Sequence, residues 1–158
     1  MMDKIRLRDY NQTDIPTILS VIKEAFAEYK DQLDPPSSAE RKTIEIVKAE
    51  LASANALVAE VEGRVVGCVF FQPQGEGIYI DRLSVLPAYR NRGLARAMLK
   101  EIEYKANSAG YKMLLLSVRL ALKKQQAYYR RYGFEFQEYD THAGYTEPTS
   151  MKMRKELG

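Results

Sequence analysis

The sequence predicts one mixed α/β domain over residues 1–158, and three observations carry that expectation. Short stretches in which apolar and polar residues alternate mark strands. Apolar residues return at helical spacing over Ile15–Phe26 and again over Leu94–Ala106. The apolar run Met113–Val118 closely follows the second of these helices, so strand, helix and strand form a right-handed βαβ unit.

The elements follow in order. Ile5 and Leu7 alternate with Lys4, Arg6 and Arg8, as in a half-buried strand. Thr13 is placed to cap the next helix, with Asp14 and Pro16 in its first turn and Ile15, Ile18, Leu19, Ile22 and Phe26 as its apolar stripe. Pro35-Pro36, in the loop Leu33–Ser38, is expected to stop that helix. Ser37 and Glu40 stand in capping-box register for a second helix whose inner face is Ile44, Val47 and Leu51. A β-rich stretch comes next. Leu57, Ala59 and Val61 alternate, Glu62-Gly63 reads as a tight turn, and Val65–Phe71 is a second strand. Gln72–Gly77 is a hairpin loop, and Ile78–Val85 is the third strand of this meander, ended by Leu86-Pro87. The helix that begins at Leu94 stops at Gly110. Met113–Val118, apolar except for Ser117, reads as a strand buried on both faces. A last helix covers Lys123–Tyr132 and ends at Gly133. Phe134–Tyr139 and Ser150–Arg154 are closing strands joined by a polar loop.

Composition excludes several classes of function. Hydrophobic residues make up 46% and charged residues 28%, an ordinary globular balance. The net charge of +3 is small against 24 basic and 21 acidic side chains, and the two signs are interleaved, which argues against a nucleic-acid partner. One cysteine, Cys68, permits neither an internal disulfide nor a cysteine-based zinc cluster, and it reads as a small core residue. With a single histidine, His142, no metal site is expected. No apolar run reaches spanning length and no signal-type stretch opens the chain, so no membrane partner and a cytoplasmic location are expected.

Chemistry concentrates between the third meander strand and its helix, in Pro87-Ala88-Tyr89-Arg90-Asn91-Arg92-Gly93-Leu94-Ala95. A helix start offers backbone N–H groups and the positive end of the macrodipole to an anion. Gly93 lets main chain approach closely, and Ala95 keeps the space open. Arg90 and Arg92 are expected to add charge where a diphosphate would lie. A phosphate-bearing ligand is the expectation. Neither a Gly-Lys-Ser/Thr grip for a triphosphate nor a GxGxxG turn for a dinucleotide is present.

Val85-Leu86-Pro87-Ala88-Tyr89-Arg90-Asn91-Arg92-Gly93-Leu94-Ala95 resembles the signature of the GNAT superfamily of N-acetyltransferases, Arg/Gln-x-x-Gly-x-Gly/Ala after a strand and a V-x-P step. Tyr129-Arg130-Arg131-Tyr132-Gly133-Phe134 resembles that family's Tyr-x-x-x-Gly-Phe block, and the order of elements matches over nearly the whole chain. The resemblance implies a central, mostly antiparallel twisted sheet, with a splayed parallel strand pair and about four flanking helices. It implies acetyl-CoA as cofactor: backbone of Leu83, Ser84 and Val85 along the pantetheine arm, and backbone of Arg90, Asn91, Arg92, Gly93, Leu94 and Ala95 at the pyrophosphate. The side chains of Leu83 and Val85 are expected to be core.

It further implies direct acetyl transfer to an amine through a ternary complex, and no Cys-His or Ser-His nucleophile pair opposes this. Tyr129 matches the family's general acid. The base is open. Relatives that acetylate protein N-termini carry a glutamate within Leu-Glu-Val-Arg, where this chain reads Leu116-Ser117-Val118-Arg119, and an asparagine where it has Leu122. Asp81, an unusual residue within a strand, either serves as a base through water or pairs with Arg82. His142 is the other candidate. With Tyr145 and Glu147 it lies in a loop that overlooks the acceptor pocket in the family, so these three are expected substrate contacts. The acceptor could be a small amine, polyamine, aminoglycoside or protein lysine. Dimers are frequent among relatives, which leaves room for a homodimer. Two other classes stand beside the enzyme: an acyl-CoA sensor without turnover, and a nucleic-acid binder using Lys123, Lys124, Arg130 and Arg131, the latter given little weight.

Overall fold

Alternation along the first segment produces β1 (Ile5–Asp9), which pairs antiparallel with β2 (Asn55–Val61) in a computed structural model that describes residues 4–158. β3 (Arg64–Gln74) returns antiparallel beside β2, followed by β4 (Gly77–Val85). β5 (Met113–Arg119) is parallel to β4, and β6 (Glu135–Asp140) and β7 (Ser150–Glu156) complete a seven-stranded sheet in the order β1-β2-β3-β4-β5-β7-β6. The helices are α1 (Ile15–Phe26), α2 (Ile44–Leu51), α3 (Leu94–Ser108) and α4 (Lys123–Tyr132). The expected mixed α/β fold, mostly antiparallel with one parallel pair and four helices, is the fold observed. None of the described helices is long and apolar enough to cross a membrane.

Contacts sort the chain into two compact units. One takes the chain up to Gln72 together with Asp81–Ile102, and its core includes the fully buried Ile18, Ile22, Val47, Val58, Val66 and Met98. The other takes Pro73–Ile80 and Glu103–Gly158, with Leu114, Leu116, Phe134, Met151 and Met153 as its core. Each such side chain contributes about 1.5–3 kcal/mol relative to exposure.

Several local expectations are corrected. Asn11, not Thr13, caps the first helical segment: its side chain accepts the Thr13 N–H at 3.0 Å, and Asp14 closes the capping box from the Asn11 N–H at 2.8 Å. A short 3-10 turn, Gln12–Asp14, precedes α1, so the cap lies one turn earlier than the apolar stripe suggests. α1 ends at Phe26 by tightening into another 3-10 turn, Ala27–Tyr29, well ahead of Pro35-Pro36. Ser37 caps only the short turn Ser38–Arg41, while Thr43 caps α2 through the Ile46 N–H. β3 runs on to Gln74, leaving a tight Gly75-Glu76 turn where a longer loop was expected. β5 is not buried on both faces: Leu114, Leu116 and Val118 are inside, whereas Ser117 is exposed and Met113 and Leu115 are half-buried.

Arg8 ties β1 to the start of α1. Its two terminal nitrogens donate to the Asp14 carboxylate at 2.8 and 2.9 Å, and its Nε donates to Glu60 of β2. The Arg8 hydrogen bonds hold Asp14 below its ordinary pKa of 3.8, against the opposing effect of burial. Asp14→Asn is expected to cost about 2 kcal/mol, because it half-unpairs Arg8 and weakens the cap. Since the folded-state pKa is the depressed one, this contribution is complete above about pH 4 and is lost as pH falls through the folded value. Urea melts of both proteins at a series of pH values check it. Their difference should be widest near neutrality and shrink in acid, and a constant difference would take Asp14 out of the acid response.

Candidate active site

The turn after β4 is held at its base by the Leu86 N–H, which donates to the Val66 carbonyl of β3 at 2.9 Å. Pro87–Tyr89 form one 3-10 turn. Asn91 (φ 62°) and Gly93 (φ 84°) then take left-handed conformations, and the first intrahelical bond of α3 runs from the Ala97 N–H to the Gly93 carbonyl at 3.0 Å. Amides that precede that bond point away from the helix body, and left-handed residues beside them form an anion-binding nest. Leu94 anchors the turn, being 1% exposed, whereas Asn91, Arg92 and Gly93 lie at the surface. A Cβ built at Gly93 would meet nothing within 4 Å. Packing therefore does not demand glycine there; the left-handed backbone does, and close approach of a ligand would be a second demand. The residues present fit a pyrophosphate.

The charges differ from expectation. The Arg90 guanidinium donates to Glu28 and, at 2.8 Å, to the Ala25 carbonyl near the end of α1. Its charge is thus neutralised locally, and it fastens the turn to α1 instead of facing a diphosphate. Arg92 lies over the Tyr89 ring, 5.0 Å from its centroid, and Arg64 from the start of β3 lies 5.9 Å from the same ring. Arg64 carries no local sequence signal for this place, because only the β3–β4 pairing brings it there.

Along β4 the parallel ladder with β5 covers three residue pairs, Gly77–Tyr79 opposite Met113–Leu115, while β4 itself runs on to Val85. Past the ladder, Arg82 takes φ 55°, a left-handed conformation that is strained for a long side chain. The Asp81 carboxylate accepts the Arg82 backbone N–H at 2.9 Å and is 43% exposed, and the Arg82 Nε lies 3.8 Å from it. Asp81 is therefore accessible and oriented by main chain, with its side-chain ion pair to Arg82 a long one. Ser84 is buried and donates its hydroxyl to the Arg82 carbonyl at 3.0 Å. Leu83 and Val85 are half-buried instead of core. The inward phase of β4, Ile78, Ile80, Ser84 and Leu86, includes position 82, so an arginine falls in step with buried residues; that phase was the overlooked signal. Cys68 is fully buried, and burial pushes its thiol up to about 12 against the opposing Ser84 hydrogen bond, so it is core as expected and unsuited to nucleophilic attack.

In the second unit, α4 ends at Gly133 (φ 110°), and the Phe134 N–H donates to the Tyr129 carbonyl at 2.9 Å. The Gly-Phe pair thus closes the helix and sets the buried Phe134 edge-on to the half-buried Tyr129, with ring centroids 5.8 Å apart. Gln126, buried on the same helix, donates to the carbonyls of Arg119 and Leu120 at 3.0 and 2.9 Å and so fixes the start of α4. His142 is tied into its loop: its backbone N–H donates to the Thr149 hydroxyl oxygen at 3.0 Å, and its Nδ1 is hydrogen-bonded to the same oxygen. The Tyr145 N–H donates to the His142 carbonyl at 3.0 Å, and Glu147 is exposed. His142 and Tyr145 therefore share one turn, whose partner Thr149 was not foreseen.

The Acetyltransferase (GNAT) family profile matches residues 19–134. The uncharacterized N-acetyltransferase YjgM of Escherichia coli (strain K12) is 29% identical over 139 residues, covering 84% of this chain and 83% of that protein. Among solved structures, the PaiA N-acetyltransferase of Thermoplasma acidophilum in complex with coenzyme A aligns with TM-score 0.79 at 18% identity, over 97% of this chain and 99% of that one. The ribosomal-protein-S18-alanine N-acetyltransferase of Escherichia coli aligns with TM-score 0.77 at 16% identity, over 98% and 94% of the two chains. At these identities the two structures speak for the fold, while the family match spans both motifs. The chain belongs to the GNAT acetyltransferase family and is an acyltransferase.

Proposed function

We propose that residues 1–158 act as one cytoplasmic N-acetyltransferase domain that uses acetyl-CoA and acetylates a primary amine by direct attack within a ternary complex. The observation that carries this reading is the turn Arg90–Ala95, with left-handed Asn91 and Gly93 ahead of a helix start. Backbone of Arg90, Asn91, Arg92, Gly93, Leu94 and Ala95 holds the pyrophosphate, and backbone of Leu83, Ser84 and Val85 lines the pantetheine arm. Acetyl-CoA supplies an activated thioester when bound.

The residues of this chain supply positions and protons. Direct attack needs a neutral amine, and Asp81 accepts the amine's proton through water. Its exposure and its bond to the Arg82 N–H suit a carboxylate that meets solvent and holds one orientation. Tyr129 holds at its phenolic oxygen the proton that a departing thiolate requires. Its support is the Tyr-x-x-x-Gly-Phe block and the way Gly133 and Phe134 fix the helix end beneath it. His142, Tyr145 and Glu147 contribute to acceptor binding, with the His142 ring held through Nδ1 by the Thr149 hydroxyl.

Tyr129→Phe is expected to lower kcat at least about tenfold with CoA affinity nearly intact, measured by thiol release and by calorimetry. Unchanged kinetics across the pH range would remove Tyr129 from the mechanism. Gly93→Glu is expected to abolish CoA binding, through the clash and the added negative charge. Because a Cβ at 93 meets nothing within 4 Å, its cost to the fold should be chiefly left-handed backbone strain of about 1–2 kcal/mol. Calorimetric titration with CoA beside a thermal melt separates the two effects, and an unaltered Kd would contradict the assigned turn. Saturable acetyl-CoA binding with no acceptor-dependent thiol release over an amine panel would instead identify an acyl-CoA sensor.

A further inference from the structure

Four charged side chains of the first unit meet around the middle of β4. Lys42 is 2% exposed, and its Nζ donates to both oxygens of Glu50 on α2 at 2.7 Å. Glu50 therefore has a full partner. The Arg82 guanidinium reaches neither carboxylate within hydrogen-bond distance: Nη2 stands 3.8 Å from Glu50 and Nε 3.8 Å from Asp81. Its side chain is 19% exposed, and Nε is buried with no hydrogen-bond partner, alone in this among buried side-chain polar atoms of the described residues. A charged donor in that state is costly, and native proteins ordinarily satisfy it. The backbone at Arg82 is also strained, with φ 55°, so the fold holds this guanidinium in place against two penalties.

We propose that Arg82 binds a carboxylate on the acceptor, so that the substrate is an amine that also carries a carboxylate, such as an amino acid or a peptide end. This rests on the acetyl-transfer reading above, because it places the anchor one residue from Asp81, the proposed base, and one from Leu83, where the cofactor-lining backbone begins. A guanidinium fork matches a planar carboxylate with two parallel hydrogen bonds. A doubly charged phosphate fits less well, because Glu50 and Asp81 already stand beside the fork. Lys42 and Glu50 are positioning residues: their pair neutralises the buried ammonium and keeps Glu50 from closing on Arg82.

Matched pairs of amino acids and their amides, over a range of amine-to-carboxylate spacings, test this as acceptors by thiol release. They are also titrated by calorimetry into the CoA-loaded protein, so that a ratio is defined even without turnover. At the best spacing the acid should exceed its amide by at least about tenfold in kcat/KM or affinity, the scale of a charged hydrogen-bonded contact. Arg82→Gln should bring that ratio towards one, chiefly by raising KM for the acid. Arg82→Lys, which keeps the charge and loses the fork, should fall between, and it decides the matter if the glutamine variant melts before assay temperature. Amides used as well as acids, or a ratio unmoved in the folded variant, would overturn the assignment. Thiol release with carboxylate-free amines alone would do so while leaving acetyl transfer standing; failure to bind CoA at all would remove both.

Discussion

The site depends on how the chain passes from β4 into α3. A strand that ends in an ordinary turn would bury its amides in local bonds. Here Leu86 is pinned to β3, Leu94 is driven into the core, and the few residues between them must cover the distance with left-handed Asn91 and Gly93. That conformation exposes main-chain N–H groups at the positive end of a helix, where an anion gains most from them. The Arg90 side chain turns to α1, and that of Arg92 lies over Tyr89. Recognition of the cofactor is thus proposed to be a property of backbone shape, which tolerates exchange of most side chains around it.

The same unit settles its own charges in pairs before any ligand is considered. Arg8 is shared between Asp14 and Glu60, Arg90 is matched by Glu28, and Lys42 by Glu50. Partly buried pairs of this kind stabilise only when geometry is close and the remaining donors are satisfied. Arg8 meets that condition, with its Nε and both terminal nitrogens bonded to carboxylates. Arg82 does not. Two arginines at similar exposure, 25% and 19%, thus differ in how closely carboxylates meet them.

Most of the fold was legible because its signals are local. Apolar period located α3 to within a residue or two, and Gly133 announced the end of α4 because only glycine sits easily at φ 110°. Phosphate-turn residues were legible for the same reason, since Gly93 reports backbone conformation directly. Caps were harder. Asn11 and Thr13, or Ser37 and Thr43, are equally good capping types, and the choice depends on where short 3-10 turns intervene. Ion pairs between elements were not legible. Nothing near Arg90 predicts Glu28, and nothing near Glu50 predicts Lys42 or Arg82, because those encounters follow from the packing of α1 and α2 in their unit.

This difference in legibility bears on why the acceptor is harder to read than the cofactor. A pyrophosphate held by main chain leaves a mark in sequence, because glycine and small residues must stand at fixed offsets. An acceptor held by side chains leaves none, since a carboxylate anchor could come from any element that packs near β4. Asp81 illustrates the point: in sequence it was equally a base or a partner for Arg82. In the structure its carboxylate accepts the Arg82 backbone N–H at 2.9 Å and keeps a longer ion pair, 3.8 Å, with the Arg82 guanidinium. A carboxylate fixed by main chain keeps its orientation whether or not the neighbouring guanidinium is occupied. In the proposed reading, base and anchor then act side by side on one strand, each with its own group of the acceptor.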